Sequence, residues 1–362
     1  MKADVRRGLW RPPEPEPVVE EPRSEPSFHE FASEWFEANK GEWRESTRLD
    51  YRWQLSSHLL PFFAQHRLSA ITVEEVDRYR HAKVREGKLS ATSINKSITR
   101  LGQVLEVAVE YDLVPRNVAR GKRRRVKATT PQRSYLDRAE QVEALLDAAG
   151  VLDAKARSDY KDLGRRALLA TLVFGGLRIS EALALRWRDV DLASGRLRVG
   201  EAKTDAGVRE VELLPALRGE LAEHKAGTGD ARPDGLVFAT SKGTPQTATN
   251  VRRRVLANAV EKADKRLAKE EKSPLPERLT PHSLRRTFAS LLFALGRTAP
   301  EVMEQLGHTD PKLTLRIYAR AMRRDVGETA RLRVLVEGNG AEAGPLSEAR
   351  PENLPPSSGV PH

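Results

Sequence analysis

Apolar positions recur at helical spacing along most of this chain. Phe28, Phe31, Trp35 and Phe36 share one face, and Leu49, Trp53 and the Leu59–Leu60 pair continue the pattern. Thr72 with Glu75 predicts a capping box opening a helix through Val76 and Tyr79. Ile94, Ile98, Leu101, Leu105 and Ala108, spaced by 4, 3, 4 and 3, form the clearest amphipathic stripe. About four such helices predict a small bundle over residues 27–119. Beyond Ser134 the pattern is mixed. Asp137 and Glu140 are expected to cap a helix carrying Val142, Leu145 and Leu146, and a longer helix through Leu168, Leu169 and Leu172 stops at Gly175–Gly176. Short strands follow around Val190–Leu192, Leu197–Gly200 and Val208–Leu213, with turns at Ser194–Gly195 and Asp205–Gly207. From Thr247 the pattern returns to helix. The expected fold class is mostly α with a small antiparallel β-sheet, in two domains, the second α+β.

At 362 residues the chain exceeds one typical domain. Composition sets the boundaries. Residues 1–26 form an N-terminal tail, basic at first and Pro/Glu-rich from residue 12, which is expected to be extended. Residues 120–133 form a basic interdomain linker: the stretch 119–133 holds seven basic residues and no acid, and like charges in succession keep a segment extended. The second domain covers 134–336, and 337–362 is an acidic tail expected to be disordered. The net charge is +11, but both tails are acidic on balance from residue 12 to 26 and from 337 on, so residues 27–336 carry +15. That excess favours a polyanionic partner. In the first domain Lys83, Lys96 and Arg100 are candidates for a DNA face, although a charged helix face is by default merely solvated. In the linker Lys122, Arg123, Arg124, Arg125 and Lys127 are candidates for a strap along DNA phosphates. The absence of cysteine excludes disulfides, thiolate metal sites and a cysteine nucleophile, and suits a reducing cytoplasm. No apolar run has the length of a membrane span.

Candidate chemistry is concentrated in the second half. Arg178 follows a Gly-Gly break, where backbone can come close to a ligand, and Glu181 in the following SEAL is placed to orient it. Lys203 precedes the Asp205–Gly207 turn. Thr280 and Pro281 are a good N-cap and first helical residue, so His282 and Arg285 fall on one face. The helix N-terminus disfavours a cationic imidazole and keeps His282 neutral. Gly307 ends a helix and projects His308 beyond it; Asp310–Pro311 then starts a short helix carrying Tyr318. Two arginines suit a phosphodiester because each guanidinium stays charged and grips two oxygens in a fork. Taken singly, each position has a plain reading: a helix-start arginine paired to a carboxylate, a lysine beside a turn, a capping-turn histidine, a core tyrosine.

Together, GGLRISEALAL, EAKTDAGVRE, PHSLRRTFA, QLGHTD and TLRIYAR resemble, in order and local context, the tyrosine recombinase (phage integrase) family. The resemblance is clear over roughly residues 134–324 and weaker over 27–120. It implies a two-domain, C-shaped DNA clamp, with a SAM-like core-binding helical bundle preceding the catalytic domain. It implies that Arg178 and Arg285 clamp the scissile phosphate, that His282 acts as base and acid, and that His308 donates a hydrogen bond to the phosphate. Lys203 would protonate the departing 5′-oxygen, and Tyr318 would attack to form a 3′-phosphotyrosyl bond. It further implies site-specific recombination of double-stranded DNA by a homotetramer, with neither metal nor any other cofactor. Integration or excision of a prophage or mobile element is the first expectation, and a Xer-like chromosome-dimer resolvase the second. Outside the family the rivals are a DNA-binding protein without catalysis and a type IB topoisomerase. One departure is Arg320, where many relatives have His two residues after the tyrosine. Finally, Met322, Val326, Ala330 and Val334 recur at spacing four, a stripe expected to dock on a neighbouring protomer.

Overall fold

The structure, a computed structural model, describes residues 25–128, 134–156, 164–200, 208–229, 231–307 and 311–338. The expected tails at 1–24 and 339–362, the Asp205–Gly207 turn, Lys203 and His308 lie outside the described residues. The chain divides into two compact units, Met1–Pro131 and Gln132–His362.

In the first unit, α1 (Phe28–Asn39) opens on a capping box: Glu30 N–H donates to Ser27 Oγ, and Ser27 N–H donates to the Glu30 carboxylate at 2.8 Å. Helix α2 (Glu45–Gln54) runs through a π-helical turn at Leu55–Leu59 into α3 (Leu60–Phe63). Thr72 caps α4 (Val73–Glu86), and the long α5 (Ala91–Glu110) buries the whole predicted stripe from Ile94 to Ala108. Phe28 and Phe63 meet edge to face at 5.7 Å in the same core, and the Tyr79 hydroxyl is satisfied by Ser97 at 2.8 Å. Leu49 and Trp53 depart from expectation. Both are exposed, because α2 turns Tyr51 and Gln54 inward instead and buries only Gln54.

The described part of the basic stretch after α5, up to residue 128, is not simply extended. Lys122–Arg124 form a 3-10 turn, and Asn95 clasps Val126, donating to its carbonyl at 2.9 Å and accepting its N–H at 2.8 Å. Arg124 lies 3.5 Å from Asp77. One amide that matches both backbone groups of Val126, with a carboxylate for Arg124, outweighs the repulsion between neighbouring cations.

The second unit is built around a helix that is buried almost all round. Helix α6 (Ala139–Ala154), α7 (Arg165–Phe174) and α8 (Ile179–Ala184) precede a three-stranded antiparallel sheet, β1 (Val190–Asp191), β2 (Arg196–Val199) and β3 (Arg209–Glu212), in the order β1-β2-β3. Leu197 pairs with Val211 on its buried face. Then come α9 (Pro215–Gly227) and α10 (Ala248–Asn250), which passes through a π-helical turn into α11 (Ala257–Lys269). The last four are α12 (Pro281–Ala294), α13 (Ala299–Leu306), α14 (Pro311–Ala321) and α15 (Val326–Glu337). From Ser283 to Ala294 every residue of α12 except Arg286 is buried, which makes it the central helix of the domain.

One expectation is corrected here. Asp137 does not cap α6. Arg138 stands at the N-cap, and the open Ala139 N–H is met by Glu328 of α15 at 2.7 Å. Helix α15 itself folds back on its own domain through Leu332 and Val336, so docking on another chain is not its only packing. Val326, Ala330 and Val334 lie exposed on its outer side, but Met322, also exposed, sits in the turn before it, so the expected stripe is interrupted between the two helices. No helix among the described residues is long and apolar enough to cross a membrane.

Gly176 marks where α12 meets the end of α7. It has φ +60°, and a Cβ there would fall inside the Phe288 ring. Gly195 has φ +71° but open space around it. Gly176→Ala is therefore expected to cost about 2–5 kcal/mol by denaturant unfolding, from left-handed strain plus overpacking, and Gly195→Ala only about 1–2 kcal/mol. Equal costs would mean that Phe288 yields freely.

Candidate active site

Three arginines from three elements converge on one buried carboxylate. Glu181, in the first turn of α8, accepts Arg178 Nη1 at 2.6 Å and the Arg178 backbone N–H at 2.8 Å. Arg209 of β3 donates from Nη2 at 3.0 Å, and Arg285 Nη1 of α12 stands 3.9 Å away. A helix N-terminus is a favourable place for a carboxylate, and here it becomes a hub. The same arginines also reach the last carbonyls of α13. Arg209 Nε donates to Gln305 at 2.8 Å, Arg285 Nη2 to Leu306, and Arg178 Nη2 to Gly307 at 3.4 Å. Helix C-termini leave such carbonyls without intrahelical partners and carry partial negative charge. Gly307, in the left-handed conformation, ends the helix at that point.

Arg285 is only 1% exposed and donates from Nη1 to the Gly176 carbonyl. Burial, with Arg178 and Arg209 close by, pushes its guanidinium down to about 9 despite Glu181. It stays charged at neutral pH. One carboxylate faces three guanidiniums, so the cluster has surplus positive charge that an anion would relieve. Its Nε–H is buried and finds no acceptor among the described residues. Arg178 is the member nearest solvent, with its side chain 37% exposed.

The other expected residues are placed as follows. Thr280 caps α12 as predicted, its hydroxyl accepting Ser283 N–H at 3.2 Å. His282 then lies exposed in the first turn, one turn from Arg285. Tyr318 is 40% exposed on α14, its ring edge-on to Phe293 of α12 at 5.1 Å. Phe293 lies eight residues beyond Arg285, roughly 12 Å along the helix axis. Arg178, Glu181 and Arg285 are thus in mutual contact, with His282 and Tyr318 on α12 and the helix beside it.

Arg209 was missed from the sequence. The signal was present: in the strand it shares a face with Val211 and Leu213, both buried, and an inward-facing arginine requires a carboxylate. In the first unit the candidate cations divide. Lys83 is buried and bonded to Glu86 at 2.9 Å, and Arg100 is buried against Tyr51, so neither is available to a DNA face. Arg125 is bonded to the Asn95 carbonyl and to Thr99. Lys96, Lys122, Arg123 and Lys127 are exposed.

The hub makes a prediction about acid. Burial alone would raise the Glu181 carboxyl, but hydrogen bonds from Arg209 and Arg178 outweigh it and hold the group below the usual carboxylate range. A depressed folded value means stability that is complete above the unfolded pKa of about 4.3 and lost as pH falls through the folded one. Glu181→Gln should therefore cost about 3–5 kcal/mol at pH 7, since buried charges lose their partner. The gap from wild type should narrow as pH is lowered through that window, measured by urea unfolding across a pH series. A gap independent of pH would remove the ion pairs as its cause.

Residues 137–324 match the phage integrase family, and residues 27–84 match the phage integrase N-terminal SAM-like domain. The phiRv2 prophage integrase of Mycobacterium tuberculosis is 26% identical over 349 residues, covering 93% of this chain and 84% of that protein. An integrase of Streptomyces ambofaciens is 25% identical over 74% of this chain and 69% of its own length. Among solved structures, the Tn1549 transposon integrase in complex with a circular intermediate DNA superposes with a TM-score of 0.65 at 19% identity, covering 81% of this chain and 97% of that one. A lambda integrase dimer bound to a core site gives 0.63 at 17%, covering 89% and 100%; at these identities the likeness is one of fold. With the family match spanning the arginine hub and the tyrosine helix together, the chain belongs to the phage integrase family of tyrosine site-specific recombinases.

Proposed function

We propose that the chain cuts and rejoins double-stranded DNA through a covalent bond to Tyr318. The observation that carries this reading is the surplus of positive charge at the Glu181 hub, which a phosphodiester would complete. Arg178 and Arg285 neutralise the phosphate as negative charge builds on its oxygens, and their fixed partners leave little reorganisation to be done in the transition state. The Tyr318 oxygen attacks phosphorus, the bond to the 5′-oxygen breaks, and a 3′-phosphotyrosyl link and a free 5′-hydroxyl result. His282 takes the phenolic proton, a role that also rests on motif order. Lys203 supplies the proton to the leaving 5′-oxygen and His308 a hydrogen bond to the phosphate; these two roles rest on motif order. A 5′-hydroxyl from a partner strand reverses the step. One phosphodiester replaces another, so neither nucleotide nor metal is called for.

Integration or excision of a mobile element is the setting we favour. The prophage integrase match extends over 93% of the chain, whereas the XerC relatives of Pelotomaculum and Brucella match 40% and 41% of it. Assembly into a homotetramer is supported by the outer stripe of α15 and the turn before it, where Met322 is 64% and Val326 72% exposed. Large apolar side chains exposed close together on a surface favour an interface there.

Tyr318→Phe removes one hydroxyl from an exposed ring. On a nicked suicide substrate it should bind DNA at the wild-type affinity and yield no covalent adduct on a denaturing gel. Adduct at wild-type yield would reject Tyr318 as nucleophile. Val326→Glu combined with Val334→Glu should spare single-site binding and abolish higher-order complexes and strand exchange in native gels, because charges cannot be buried unpaired at the contact. Tetramers formed at the normal concentration would place assembly elsewhere.

A further inference from the structure

Two residues after Tyr318, Arg320 reaches out of α14. Its Nη2 donates to Asp137 Oδ2 at 2.6 Å, and its guanidinium lies 4.8 Å from the Tyr135 ring centroid. Asp137 and Tyr135 belong to the segment leading into α6, and that segment is fastened to the central helix. Leu136 N–H donates to Thr287 Oγ1 at 2.9 Å, and Arg286 Nη1 to the Ser134 carbonyl at 3.3 Å. Thr287 is two residues from Arg285. A short chain of contacts therefore runs from the tyrosine helix, through Arg320 and residues 135–137, to the helix that carries the buried arginine.

Helix α14 packs on α12 along one face, where the Tyr318 ring meets Phe293. Among its described side chains only Thr314 and Ile317 are buried, while Leu315 and Tyr318 are exposed. The turn after it is pinned by Arg324, which donates to Ser290 of α12, but that tie lies beyond the end of the helix. A helix held along one face can still rotate slightly about its axis, and polar contacts on its open side limit that rotation. Rolling would swing the Tyr318 oxygen, and a displacement of about 1 Å in a reacting group can cost about a hundredfold in rate. The Arg320 side chain is half exposed, so the ion pair adds little to stability; its contribution is direction.

We propose that Arg320 is a positioning residue: clasped by Asp137 and Tyr135, it sets the rotation of α14 and so aims the Tyr318 hydroxyl at the phosphate. This rests on the reading of Tyr318 as nucleophile. It also gives a role to the position where many relatives carry His. A competing role is direct contact between Arg320 and a DNA phosphate, in which case Asp137 would only restrain it.

The test is a double-mutant cycle on the full-length protein, with Asp137→Ala, Arg320→Ala and the double variant. Cleavage of the labelled strand is followed under single-turnover conditions at saturating DNA, with DNA affinity and thermal melting measured alongside. Each single variant should cleave about tenfold more slowly with affinity within about twofold of wild type, and the double should be no slower than the slower single. Arg320→Lys, which keeps the charge, should recover most of the rate, and Asp137→Asn serves if Asp137→Ala fails to fold. Additive losses, unchanged rates, or weaker DNA binding by Arg320→Ala but not by Asp137→Ala would each overturn the proposal. Because strand cleavage is read independently of which residue becomes linked, an adduct surviving Tyr318→Phe refutes the nucleophile, while the cycle separately reports the clasp.

Discussion

The catalytic domain depends on one buried carboxylate. Without Glu181, Arg178, Arg209 and Arg285 would stand within a few ångströms of one another in a site from which water is largely excluded, and their repulsion would open it. With Glu181 in place each arginine has a defined direction, toward the carboxylate on one side and toward the α13 carbonyls on the other. Those carbonyls are the open end of a helix, so a requirement of helix termination and a requirement of charge balance are met by the same contacts. The balance is incomplete: three guanidiniums face one carboxylate, and the proposed phosphodiester would offset part of the two-charge surplus.

The rest of the domain serves to bring those elements together. Helix α12 is buried on nearly every side, which fixes Arg285 as firmly as any core residue. Its close approach to the α7–α8 junction requires a residue with no Cβ at 176, and the carbonyl freed by that sharp turn accepts from Arg285. Strand β3 does for Arg209 what α12 does for Arg285, carrying it inward beside Val211. The arginine cluster is therefore rigid because its backbone supports are.

Much of this was legible from the chain. The α5 stripe, the Thr280 cap and the breaks at Gly175–Gly176 and Gly307 are local signals, and each appears where the spacing placed it. Of the site, the Arg178–Glu181 contact was readable because three residues on a helix start are neighbours by geometry. For Arg209 the strand alternation shows only that it faces inward; its partners, 28 and 96 residues away in sequence, are what the chain does not reveal. The same limit explains Lys83 and Arg100: a cation on a helix reads as solvated until the neighbouring helix is known, and here Tyr79 and Tyr51 cover them. Asp137 shows the reverse case. Its position before α6 is that of a cap, but the cap is supplied from Glu328, and Asp137 turns instead to Arg320.

The two halves of the site are held by different physics, and that difference bears on how the reaction is controlled. The arginines proposed to bind the phosphate sit in a buried network, where loss of one partner is costly and motion is small. Tyr318, the proposed nucleophile, packs on Phe293 from a helix whose Arg320 contact is half exposed, where salt and neighbouring charges can weaken it. A phosphate can therefore be recognised by a preformed clamp before the tyrosine is committed. Cleavage that outran assembly would leave broken DNA attached to a single protomer. With Tyr318 as the proposed nucleophile, its half-exposed helix next to the exposed side chains of Met322 and Val326 puts the chemical step where contact with another molecule can act on it.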